Sequence, residues 1–117
     1  MKALIVAPHE RPVMKNLLDL KDMQHCVGGY IQAIYPWDDL PVALVCDEEG
    51  LYHDSDWNRV LPDGTPIKGT FFLCGVGEED FTDLTDELAA RFEREFSEPD
   101  TYITELPLQN RKKVWLL

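Results

Sequence analysis

The chain has 117 residues, with 22 acidic against 11 basic side chains and a net charge of -11. That length suits one domain able to bury a core without covalent staples, and the charge argues against direct binding to nucleic acid or to an anionic membrane. No apolar run approaches a bilayer span, and the opening from Met1 to Pro8 is too short and too soon charged for a signal peptide, so a cytoplasmic protein is expected.

Lys2 to Ala7 reads as a strand that Pro8 ends by removing a ladder donor. After the turn His9-Glu10-Arg11-Pro12, Val13 to Leu17 reads as a short edge strand. Asp19 to Val27 has a helical pattern, with Asp19 as cap, Leu20, Met23 and Val27 on one face, and Gly28-Gly29 as the left-handed stop. Tyr30 to Tyr35 and Pro41 to Cys46 are β-rich runs joined by a connection too short for a parallel crossover, so they should pair antiparallel. Asp47 to Gly50 reads as a turn, with Leu51-Tyr52 extending into a strand. The stretch from His53 to Pro66 is rich in Asp, Ser, Pro and Gly and is expected to be a surface loop, tacked to the core by Trp57, Val60 and Leu61.

Lys68 to Cys74 is too short and too rich in aromatic residues for a helix, and is expected to be a central strand buried on both faces. A Gly75-Val76-Gly77 turn follows. Thr85 then caps a helix whose Leu88, Ala89, Phe92 and Phe96 recur at three- and four-residue spacing, with Asp86 and Glu87 against the positive end of its dipole. Beyond Phe96, Tyr102-Ile103-Thr104 and Val114 to Leu117 are read as short strands or docked ends, so residues 97–117 form a tail on a Lys2 to Phe96 core. The order does not alternate strictly between helix and strand. It favours an α+β fold, a mixed or mostly antiparallel sheet of about five strands with two helices on one face.

Candidate chemistry is sparse. Gly75-Val76-Gly77 lies between a strand and a helix, as phosphate loops do, but Glu78, Glu79, Asp80 and Asp83 would repel a phosphate and no Lys-Ser or Lys-Thr follows. His53, Asp54 and Asp56, with Asp47 and Glu49 upstream, carry metal-ligating atoms at a spacing that matches no calcium loop, and His25-Cys26 lacks zinc spacing. No metal or cofactor is therefore assigned. Cys26, Cys46 and Cys74 are odd in number and widely separated. Cys46 and Cys74 sit in apolar runs, unlike the exposed, electropositive setting a nucleophile needs. The only serines, Ser55 and Ser97, stand outside any nucleophile motif, and no catalytic residue is assigned.

What remains is the distribution of charge. Half of the acidic residues fall between Glu78 and Glu105, against Arg91 and Arg94 in the same span. The candidate interaction face is Glu78, Glu79, Asp80, Asp83, Asp86, Glu87 and Glu93, whose spaced charges can imitate a phosphate backbone to a protein with a basic surface. The plain alternative is a solubilising face. A rival ligand loop is His53, Asp56 and Arg59, where an isolated cation in an acidic stretch can clamp a carboxylate internally or hold a ligand.

At Val27-Gly28-Gly29-Tyr30-Ile31, Pro41-Val42-Ala43-Leu44, Asp47-Glu48-Glu49-Gly50, Asn58-Arg59, Gly69-Thr70-Phe71-Phe72 and Asp80 to Glu87, the chain resembles the domain-of-unknown-function family DUF3846. That is a family of small acidic proteins typically carried by phages, plasmids and conjugative elements of Gram-positive bacteria. The resemblance implies a setting and no catalytic or binding residues. In that setting, inhibitors of host defence include DNA mimics, so the resemblance implies an accessory protein that binds a macromolecule, with inhibition of a host nucleic-acid-binding protein by charge mimicry as one form and a structural or accessory protein of the element as an equal competitor. The alternative is a small-molecule-binding or catalytic domain using the 53–59 loop. Whether apolar Val114-Trp115-Leu116-Leu117 docks internally or on a second copy, making a homodimer, stays open.

Overall fold

The computed structural model describes residues 1–50, 53 and 55–98. Within them the chain runs β1 (Lys2–Val6), β2 (Val13–Asn16), α1 (Leu20–Val27), β3 (Ile31–Ile34), β4 (Val42–Asp47), β5 (Trp57–Val60), β6 (Pro66–Lys68), β7 (Phe71–Val76), β8 (Phe81–Thr82) and α2 (Asp86–Glu95). The main sheet has the order β2-β1-β7-β4-β3, every pair antiparallel, which is the α+β class the sequence leads one to expect. β7 is central, as its uninterrupted apolar run requires. β1 pairs with it along Phe71 to Leu73. Where β1 ends, β8 takes over the same flank at Gly75 and Val76, and Leu84 N donates to Lys2 O at 2.9 Å.

Because side chains alternate across a strand, β1, β4 and β7 each feed two cores. Leu4, Val6, Val42, Leu44, Phe71 and Leu73 face one way, under Ala89, Phe92 and Phe96 of α2 and its C-cap. Ala3, Ile5, Ala43, Val45, Phe72 and Cys74 face the other, under Met23, Cys26 and Val27 of α1. The two helices thus flank opposite faces of the sheet, correcting the expectation of a shared face. Strands apolar on both sides need a cover on both. Trp37 locks α2 down, its ring centroid 4.5 Å from that of Phe92, while Phe96 meets Phe71 edge-on at 5.6 Å.

Local signals set the helix ends as predicted. Asp19 Oδ1 accepts from Asp22 N at 2.9 Å, Thr85 Oγ1 accepts from Leu88 N at 3.3 Å, and Gly28 closes α1 with φ of +83°, a conformation other residues adopt at a cost. Two expectations need correction, and a third lies outside the described residues. The expected loop from His53 to Pro66 contains β5, which pairs with β6 around a turn at Pro62 to Gly64 to make a second, two-stranded sheet. Leu61 is buried there as expected, whereas Trp57 and Val60 are only half-buried. The run from Lys68 to Cys74 is split: β6 ends at Lys68, Gly69 turns the chain at φ of +78°, and β7 starts at Phe71. The expected strands at Leu51-Tyr52, Tyr102 to Thr104 and Val114 to Leu117 lie outside the described residues.

Candidate functional site

The three residues of the proposed ligand loop go to three different places. Arg59 is 2% exposed and Asn58 1%, so both belong to the interior. Asn58 Nδ2 donates to Val6 O at 2.8 Å and to Gly69 O at 2.9 Å, tying β5 to the main sheet. Its Oδ1 accepts from Arg59 Nη1 at 2.7 Å, and Arg59 Nη2 donates to Glu10 O at 2.7 Å and to Phe96 O at 2.9 Å. A buried guanidinium needs its donors satisfied, and here its fork collects carbonyls from the β1–β2 turn and the end of α2. Arg59 is a clasp between distant segments. Asp56 is on the surface, where its Oδ2 meets His9 Nε2 at 3.1 Å.

His53 belongs to a different cluster. Its Nδ1 is hydrogen-bonded to Asp47 Oδ2, and its Nε2 lies 3.6 Å from Glu49 Oε2. Asp47 is the last residue of β4, and its carboxylate is 6% exposed. A carboxylate held so far from water needs compensating donors, which Glu49 N supplies at 3.0 Å together with the imidazole. Gly29 makes room for this arrangement: a Cβ there would stand 2.5 Å from Asp47 Oδ1. Gln24, Gly29, Tyr30, Asp47, Glu49 and His53 line an open cleft of about 280 Å³. Sequence reasoning noted Asp47 and Glu49 only as loose ligands. It missed their convergence with Gly29, although a second glycine after a completed helix cap was a signal that something packs against it.

The acidic face has another character. Glu78, Glu79 and Asp80 form the turn between β7 and β8, and Asp86 and Glu87 open α2. Asp86 and Glu93, seven residues apart, share a stripe along that helix, separated by about 10 Å at the usual helical rise. All seven predicted carboxylates are exposed, and among the described residues none is ion-paired. Two have structural duties. Asp83 Oδ1 accepts from Lys2 N at 2.8 Å, and Asp80 Oδ1 accepts from Phe81 N at 2.7 Å. Gly75 and Gly77 belong to β7 and its turn into β8, and Gly28 to a helix C-terminus, so neither pair forms a phosphate loop.

Burial pushes the Cys74 thiol up to about 12 and the Cys46 thiol up to about 11, with neighbouring Asp80 and Asp47 adding to the rise. Burial raises Cys26 too, opposed by Lys15. All three are free thiols, poor nucleophiles while folded. Among the described residues no group of three or more His, Cys, Asp or Glu is placed to hold a metal ion, and no helix is long and apolar enough to cross a membrane.

The family described as "Domain of unknown function (DUF3846)" matches residues 1–97. The chain belongs to this family. The matched span includes the Asp47–His53 cleft, the Arg59 clasp and the acidic face, so within this DUF3846 chain each lies inside the family's own boundaries. The chain matches no curated protein and no solved structure.

Proposed function

We propose that this DUF3846 chain is a small cytoplasmic accessory protein that acts by binding a macromolecular partner with a basic surface, through the acidic face from Glu78 to Glu93. One observation carries the reading. Seven exposed carboxylates stand on the β7–β8 turn, the segment after it and α2, and none is ion-paired to a described cation. Charge that is not neutralised within the fold is available to a cationic surface, and its attraction acts over about a Debye length of 8 to 10 Å in physiological salt. In the mobile-element setting that the family resemblance suggests, the partner is a host nucleic-acid-binding protein whose cleft the face would occupy in place of DNA. The rival reading, small-molecule binding or catalysis at residues 53–59, asks for a hollow beside Arg59, and the 2% exposure of Arg59 favours the acidic face over it.

The test is capture from a host lysate with the tagged wild type and with a variant carrying Asp86→Lys, Glu87→Lys and Glu93→Lys. Asp83 is spared because it holds Lys2 N. A partner retained at low salt, released at high salt and lost with the variant is expected. Equal retention by both proteins, indifferent to salt, would defeat the proposal.

A further inference from the structure

β3 is an edge strand, and among the described residues no strand pairs with its outer side. Glu48 N donates to Tyr30 O at 2.8 Å, and the register Gln32↔Cys46 and Ile34↔Leu44 continues that alternation. Tyr30, Gln32 and Ile34 therefore spend their backbone groups on β4, while the N–H and C=O of Ile31 and Ala33 point outward. No residue from Tyr30 to Tyr35 is charged, whereas the opposite edge, β2, carries Lys15, the kind of residue that blunts edge pairing. Both ends of the open edge are marked the same way. Tyr30, 71% exposed, borders the cleft with Asp47 and Glu49. Tyr35, 54% exposed, borders a second cleft of about 380 Å³ with Glu78, Glu79 and Asp80.

An aromatic face beside carboxylates suits a guanidinium or ammonium group, which gains ring and ion-pair attraction together. The two such places are five residues apart, about 17 Å along a strand. We propose that β3 receives an extended segment of a partner protein as an added strand, apolar at its centre and with basic residues about five positions apart that seat against Tyr30 and Tyr35. Main-chain bonds to Ile31 and Ala33 supply affinity, and the acidic ends supply selection for a basic partner. The inference rests on the reading of this chain as a binder of basic partners and names the element that engages one.

The probe is a blocked synthetic peptide, Arg-Val-Thr-Val-Thr-Arg, titrated into the full chain while amide hydrogen exchange is followed residue by residue. The expected result is exchange at Ile31 and Ala33 slowed about tenfold or more at saturation. The effect should vanish when the arginines are replaced by glutamates. Ala33→Pro, which removes an outward donor and leaves the β3–β4 bonds intact, should abolish binding. Binding without protection of Ile31 and Ala33 overturns strand addition and leaves the acidic-face reading intact. Absence of binding also overturns strand addition, and the capture experiment with the α2 variant then decides the acidic face independently. Concentration-dependent protection of the same amides without peptide assigns the edge to a second copy and overturns the proposal.

Discussion

Arg59 illustrates how a side chain that looks functional in a sequence can be architectural. An isolated cation in an acidic loop invites a ligand, yet its fork holds Glu10 O and Phe96 O, two segments far apart in the chain. Arg59→Met should lower unfolding free energy in urea by about 3 kcal/mol by orphaning those carbonyls, and Arg59→Lys should recover little, since an ammonium cannot span the same fork. Gly29→Ala should cost about 1 to 3 kcal/mol and displace His53 from Asp47, visible as a changed His53 ring shift in NMR, because the new methyl needs the place of Asp47 Oδ1. The thiols give a pH signature. The folded values of Cys46 and Cys74, about 11 and about 12, lie above the ordinary 9.0, so the unfolded chain loses those protons first as pH rises. Their stabilising contribution is complete below pH 9.0 and is lost as pH climbs through 11 and 12, and denaturant midpoints should fall across that window. Below it, thiol reagents should modify Cys46 and Cys74 only on unfolding.

Among the elements, legibility followed the strength of the local signal. Caps and apolar spacing placed α1 and α2 because Asp19, Gly28 and Thr85 act within one turn of themselves. Thr85→Ala should accordingly cost about 1 kcal/mol, read from thermal or urea melts. β5 was illegible for the converse reason. Trp57-Asn58-Arg59-Val60 has two polar residues at its centre, and what makes them strand is distant: Asn58 reaching Val6 O, and Arg59 reaching Phe96 O. The side of the sheet each helix covers was likewise hidden, although the double-sided apolar pattern of β1, β4 and β7 already demanded two covers. The acidic face was readable as composition, whereas the convergence of Gly29, Asp47 and His53 depends on contacts between segments.

At the scale of the whole molecule, an excess of eleven negative charges repels itself, and the segment from Glu78 to Glu93 concentrates seven carboxylates, against Arg91, none of them ion-paired to a described cation. A fold whose surface serves only solubility gains as much from interspersed charges of both signs. Recognition of a basic surface is the role proposed for the face. That role predicts that binding is steered electrostatically, with association slowing as salt rises.

The measurement that tests this most directly is the affinity for the captured partner between about 50 and about 300 mM salt, for the wild type and for the Asp86→Lys, Glu87→Lys, Glu93→Lys variant. The account predicts a steep loss of wild-type affinity with salt and, for the variant, weak binding with a much flatter dependence. Equal affinities for the two proteins, unchanged across that range, would contradict it.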